Sequence, residues 1–294
     1  MIDHDLVLSL ELHIFVQDGV ILIKTSSPIS TALPRANVYF CYHSDMSNIT
    51  LVVTDLDGTI ILPGFIISKA VRAVIIEAEK RNIIVSAVTG REYSEIKPSL
   101  KKLGIKGPCV FEGGALVIDT ATDKILWSRQ IADDVTGRVI NVLAAHTTEI
   151  DWGKGLTKVE DLADNNDYKG CYSIWAAVPA SEALNIIEDL HKLPNIVAPS
   201  NPAPGGDFSK WGIQVTNIEA DKFHGVNALL NILNITKDTV LAIGDGNNDI
   251  PLFTAASIKV AMGNAASKLK EQADYIVPDI EHDGFVVAMD KYVL

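Results

Sequence analysis

From Leu51 onward, short apolar runs alternate with stretches whose apolar residues recur every three or four positions. The runs are Leu51–Thr54, Ile83–Val88, Val240–Ile243, Ile258–Ala261 and Tyr275–Val277. Runs this short and this apolar suit strands covered on both faces. Between them, Ser68–Arg81, Phe223–Leu233 and Ala265–Gln272 carry helical spacing. The alternation predicts an α/β fold, a parallel sheet with helices on both faces. Functional side chains in such sheets gather at the carboxyl ends of the strands.

Two regions depart from this pattern. Between Ile131 and Thr216 the chain offers a helix near Asp133–Ala145, a strand near Cys171–Val178, a helix near Ser181–Lys192 and a strand near Trp211–Thr216, with Pro199–Gly206 loop-like. This reads as an inserted α+β module over 131–216, splitting a main domain into 46–130 and 217–294. Residues 1–45 differ again: strand-like Leu6–Phe15 and Val20–Lys24 flank a turn signal at Asp18-Gly19, and an irregular stretch with Pro28 and Pro34 follows. No chemistry is visible in this extension, whose role is unknown, and Met46 is an alternative natural start.

Composition narrows the class. An apolar fraction of 48% over 294 residues is ample for a buried core. The formal net charge of -12 argues against a nucleic-acid or anionic-membrane partner, since both require a basic footprint. Cys41, Cys109 and Cys171 form no CxxC pair, so they read as small buried residues in a reducing cytoplasm. No apolar run approaches the ~18 residues that span a bilayer. Asp3, Asp5, Glu11 and His13 interrupt the first apolar stretch, against a signal peptide. A cytoplasmic location is expected.

Chemistry concentrates at strand ends. Asp55-Leu56-Asp57-Gly58-Thr59 follows Leu51–Thr54 directly, and two carboxylates two residues apart on extended chain project to the same side. Such a pair can divide labour between nucleophile and proton shuttle. Gly244-Asp245-Gly246-Asn247-Asn248-Asp249 follows Val240–Ile243 and offers oxygens suited to a hard cation such as Mg²⁺. A calcium EF-hand does not fit, because Ile250 stands where its loop needs glycine and Ala256 where it needs glutamate. Thr89-Gly90-Arg91 ends a third run, where a hydroxyl and the N–H groups of a glycine turn can bind phosphate oxygens. Lys222 opens the Phe223–Leu233 helix and by itself reads as a surface lysine. Together the four segments favour phosphoryl transfer, because clustered acids need a divalent cation to offset them. No GxxxxGK[ST] run supports a P-loop NTPase.

These motifs, in this order, resemble the haloacid dehalogenase-like (HAD) hydrolases, specifically the Cof-type branch with a large α/β cap. The resemblance covers about Met46 to Leu294 and extends to Val260–Ala265 and His282-Asp283-Gly284. It implies a Rossmann-like core, a cap over 131–216, and Mg²⁺-dependent hydrolysis of a small phosphorylated metabolite, such as a sugar phosphate or phosphoglycolate, through an aspartyl phosphate. Asp55 would be nucleophile and Asp57 general acid, then base. Asp55, the backbone carbonyl of Asp57, and Asp245 would ligate Mg²⁺, with Asp249 close by or bridging through water. Thr89, Gly90, Lys222 and Asn248 would hold the phosphoryl group. A phosphomutase sharing the intermediate and a non-catalytic metabolite-binding protein are the alternatives, and oligomeric state is not legible. One departure is Glu112-Gly113-Gly114-Ala115, where the branch usually has asparagine at the second position.

Because every residue assigned to chemistry lies beyond Leu51, a protein of residues 46–294 is expected to fold and act like the full chain. Comparing solubility, thermal midpoint and phosphatase rate checks this; an insoluble or inactive truncation would show that residues 1–45 belong to the fold.

Overall fold

The computed structural model describes residues 13–17, 20–24, 49–153, 170–202 and 209–294. Two compact units divide the chain, 1–46 and 47–294. In the first, β1 (His13–Gln17) pairs antiparallel with β2 (Val20–Lys24), Gln17 opposite Val20. The expected strand residues before His13, the turn at Asp18-Gly19 and the irregular stretch that follows β2 lie outside the described residues.

The second unit begins with β3 (Leu51–Thr54), α1 (Lys69–Lys80), β4 (Ile84–Ala87), α2 (Tyr93–Leu103), β5 (Pro108–Phe111), β6 (Leu116–Asp119) and β7 (Lys124–Ser128). It continues through α3 (Asp133–Ala144), β8 (Ile150–Gly153), β9 (Ser173–Pro179), α4 (Ala183–Leu190), β10 (Ile196–Val197), β11 (Ser200–Pro202) and β12 (Lys210–Asn217). It ends with α5 (Lys222–Leu233), β13 (Val240–Gly244), α6 (Ile250–Thr254), β14 (Ile258–Ala261), α7 (Ser267–Lys270), β15 (Tyr275–Ile276) and α8 (Gly284–Tyr292).

The core sheet runs β15-β14-β13-β3-β4, all parallel. Every residue of β3 and β13 is buried, which is why both read as unbroken apolar runs. Register aligns the carboxyl ends, with Ile243 and Ala87 both opposite Thr54. A parallel bridge between Val88 and Val110 carries β5 alongside, and β5-β6-β7 form an antiparallel sheet. The inserted strands make a separate antiparallel sheet, β10-β12-β9-β8, with β11 also paired to β12. Its core, around Val139, Leu143, Ile174, Ile186 and Ile213, is distinct from that of the parallel sheet.

Three details depart from the pattern reading. Tyr275 and Ile276 are exposed rather than covered, because β15 is the sheet's last strand and only Val277 turns inward. Ser200–Pro202 is strand, not loop; Pro202 is tolerated because β11 pairs on one side only. The helix α2 also went unread. Its buried Tyr93, Ile96, Leu100 and Leu103 have helical spacing, but Pro98 interrupts the signal.

One turn joins the sheets to the site. Glu112, Gly113 and Gly114 have successive φ of 51°, 73° and 121°. A Cβ on Gly114 would stand 2.0 Å from the carbonyl oxygen of Asp221, so glycine alone lets this turn reach the start of α5. Gly114→Ala is expected to cost about 3 kcal/mol through backbone strain and overpacking, lowering the thermal midpoint by roughly 6–12 °C. A calorimetric midpoint within about 2 °C of wild type would show that the turn relaxes freely.

Candidate active site

Asp55 leaves the end of β3, its N–H donating to the carbonyl of Ile243 at 3.0 Å. Thr89 follows β4, and Asp245 follows β13. Parallel register therefore brings three of the four motifs to one edge. The fourth arrives from α5, whose N-cap Asp221 accepts from the N–H of His224 at 3.0 Å. That cap fixes Lys222 as the first helical residue, and its side chain runs inward. Lys222 is 2% exposed, the opposite of the surface lysine that position alone suggests.

The Lys222 ammonium donates to Asp55 Oδ1 at 2.5 Å and to Asp249 Oδ1 at 2.6 Å. The other oxygen of Asp249 accepts from the backbone N–H groups of Asp245 and Gly246, at 2.9 and 2.8 Å. Asp249 is thus spent on holding the lysine and the turn after β13. Asp55 Oδ2 accepts no hydrogen bond among the described residues. Asp245 receives the Thr59 hydroxyl at 3.2 Å and the Asn264 amide at 3.3 Å. Burial opposes the charge on Lys222, but Asp249 and Asp55 outweigh it and raise its pKa. Burial, against the attraction of Lys222, pushes Asp55 well above the usual carboxylate range. Burial and then Asp249 carry Asp245 up to about 7.

Asp55, Asp245 and Asp249 each place an oxygen within 4.8 Å of the others. Three carboxylates against one ammonium leave negative charge in a buried place, and oxygen-only donors are what Mg²⁺ prefers. The residues therefore fit a hard divalent cation. Asp57 stands apart from this group. Its two carboxylate oxygens accept from Arg91 Nε at 2.6 Å and from Arg91 Nη2 at 2.8 Å. Arg91 also pairs with Glu95 and lies over the ring of Phe65, 4.8 Å from its centroid.

Thr89 is buried, and its hydroxyl oxygen accepts from the Arg91 N–H at 3.1 Å, leaving the hydroxyl hydrogen to donate elsewhere. The Gly90 N–H has no hydrogen-bond partner among the described residues, while its carbonyl accepts from Gln214 of β12 at 2.7 Å. Gln214 also fills the space beside Gly113, where an added Cβ would meet its amide at 3.0 Å. Asn248, Gln214 and Lys222 share the wall of one small cavity between the two sheets' ends.

Four residues in this geometry carried no assigned role in the sequence reading. Arg91, Asn264 and Glu112 sit inside segments already singled out there. Asn264 ties Gly58 to the site through its amide at 2.9 Å, and buried Glu112 receives Ser173 Oγ of β9 at 3.2 Å. Gln214 had no local signal, since an amide on an alternating strand looks like any solvated position.

A family profile described as haloacid dehalogenase-like hydrolase matches residues 52–157 and 155–289. The phosphoglycolate phosphatase 1 of Saccharolobus solfataricus is 30% identical over 247 residues, 83% of this chain and 95% of that protein. The 5-amino-6-(5-phospho-D-ribitylamino)uracil phosphatase YcsE of Bacillus subtilis is 26% identical over 254 residues, 84% of this chain and 97% of its own length. A solved haloacid dehalogenase-like hydrolase from B. subtilis superposes with a TM-score of 0.71 at 19% identity, over 84% of this chain and 100% of that one. The chain belongs to the haloacid dehalogenase-like hydrolases, in their Cof-type branch.

The raised Asp245 has a readable consequence. Its folded value of about 7 lies above the ordinary 3.8, so the protein alone gains from this group at low pH and loses that gain as pH rises through 7. A cation at Asp245 competes with the proton and removes the loss. The thermal shift produced by millimolar Mg²⁺ is therefore expected to be larger at pH 8 than at pH 6. Equal shifts at both, by differential scanning fluorimetry, would remove Asp245 from the cation site.

Proposed function

We propose that this chain is a Mg²⁺-dependent phosphatase that hydrolyses the phosphate monoester of a small metabolite through an aspartyl phosphate on Asp55. The observation that carries the reading is the state of Asp55 itself. One oxygen is fixed by a buried lysine at 2.5 Å and the other accepts no hydrogen bond among the described residues, at the carboxyl edge of a parallel sheet. The phosphatase names of the relatives support the same reading. In this reading 46–130 and 217–294 form the catalytic core, 131–216 the cap, and 1–45 an extension of unknown role. The net charge of -12 and the buried thiols of Cys109 and Cys171 suit a cytoplasmic enzyme; among the described residues no helix is long and apolar enough to cross a membrane.

In the first step, Asp55 attacks phosphorus, the bond to the ester oxygen breaks, and that oxygen takes a proton from Asp57. In the second, Asp57 takes a proton from water, the water oxygen attacks phosphorus, and the bond to Asp55 breaks. Inorganic phosphate leaves, Asp55 is a free carboxylate again, and Asp57 again carries the proton with which the cycle began. Lys222 keeps Asp55 from swinging away and presents positive charge to the phosphoryl oxygens. The Thr89 hydroxyl, the Gly90 N–H and the Asn248 amide are further donors for those oxygens. Arg91 accepts no proton but holds both Asp57 oxygens at the flank of the site, so proton transfer requires Asp57 to leave Arg91 and turn toward the ester oxygen.

Asp55 and Asp245, with the Asp57 carbonyl and nearby Asp249, would hold Mg²⁺. When bound, it supplies the positive charge that offsets charge on the transferring group.

Asp55→Asn is expected to abolish turnover. Asp57→Asn should retain a residue, lowering the rate by about 10²–10⁴ on alkyl esters and less on an aryl ester, whose leaving group needs little protonation. Released phosphate is the measurement. Wild-type rates in the Asp55 variant would overturn the nucleophile, and transfer to a sugar without phosphate release would make the enzyme a mutase.

A further inference from the structure

The cavity beside Lys222 has a chemistry of its own. It measures about 70 Å³ and lies between the cap residues Gln214 and Thr216 and the core residues Asp221, Asn247 and Asn248. Lys222 lines it and also donates to the nucleophile, so the cavity borders the site at Asp55. Thr216 is 2% exposed, yet its hydroxyl makes no hydrogen bond among the described residues. Gln214 spends its amide N–H on Gly90, and its Oε1 has no partner among the described residues. Asp221 spends Oδ1 on the N–H and Nδ1 of His224, at 3.0 and 2.7 Å, and its Oδ2 has no partner among the described residues. The side-chain amide of Asn247 is likewise uncommitted among the described residues, whereas Asn248 is assigned to the phosphoryl oxygens.

These groups are acceptors and weak donors, and one of them carries a negative charge. The cation on the wall, Lys222, is held by Asp55 and Asp249 and in the phosphatase reading serves the phosphoryl oxygens. Hydroxyl groups satisfy such a wall from both directions, donating to Asp221 Oδ2 and Gln214 Oε1 and accepting from Thr216 and the Asn247 amide. A carboxylate would face Asp221 with no uncommitted cation among the described lining residues, and like charges at this range repel in a poorly hydrated space.

Resting on the phosphatase reading, the geometry points to a leaving-group subsite of Gln214, Thr216, Asp221 and Asn247 that takes an uncharged, hydroxyl-bearing leaving group and excludes a carboxylate-bearing one. Asp221 and Thr216 set that choice. Nothing in the motif pattern separates a polyol phosphate from phosphoglycolate; the lining of this cavity does.

The test measures kcat/KM with Mg²⁺ for glycerol phosphate and phosphoglycolate, each relative to nitrophenyl phosphate as the reference for every protein. Wild type is expected to favour glycerol phosphate over phosphoglycolate by about tenfold or more. Asp221→Asn keeps a good helix cap and removes the charge, so that preference should shrink severalfold through a gain on phosphoglycolate. Thr216→Val keeps shape and removes the hydroxyl, so glycerol phosphate should lose about tenfold relative to the aryl ester. Turnover of the aryl ester with a preference for phosphoglycolate overturns the subsite and leaves the phosphatase reading standing. So does a preference unchanged in both folded variants. No turnover of any ester by wild type overturns the phosphatase reading and the subsite together. If Asp221→Asn fails to fold, Thr216→Val decides alone.

Discussion

The structure depends on one buried ammonium. Lys222 sits between Asp55 and Asp249, and each of those acids is committed elsewhere: one ends the central strand, the other ties down the turn after β13. Without the lysine, two carboxylates would face each other with almost no solvent to screen them. Removing one partner of a buried pair typically costs about 3–5 kcal/mol, because the remaining charge stays buried. The same ammonium that makes the core sheet's edge tolerable also orients Asp55.

Around that contact, close approach is bought with missing side chains. Gly114 lets the turn after β5 touch the backbone at Asp221, which caps the helix that delivers Lys222. Gly244 leaves room for the Asp249 carboxylate, where a Cβ would stand 2.6 Å from Oδ2. Gly90 and Gly113 leave room for Gln214, so the inserted sheet reaches the turn after β4 through one amide. The glycine at 113, where the family branch usually has asparagine, is thus not an empty position: an amide from the opposite sheet occupies it.

Two cross-sheet contacts locate the boundary between core and insertion. Gln214 donates to the carbonyl of Gly90, and Ser173 to the carboxylate of Glu112. Both partners in the core lie on turns immediately following strands of the central layer. The cavity beside Lys222 exists because those contacts hold the sheets' ends together while leaving small, uncommitted polar groups between them.

What the sequence determined by itself was the class of fold and the residues of the edge. Parallel strands buried on both faces must be continuous apolar runs, and acids that directly follow such runs must emerge at the carboxyl end; both statements are local and need no coordinates. What only the tertiary structure decided was the state of those residues. That Lys222 is buried against Asp55 and Asp249 and that Asp57 faces Arg91 depend on partners 27 to 167 positions away. Gln214 and Thr216 lie on a strand whose pattern only separates one face from the other. Which of those faces meets the site is fixed by the docking of one sheet on another, a long-range constraint that local periodicity does not encode.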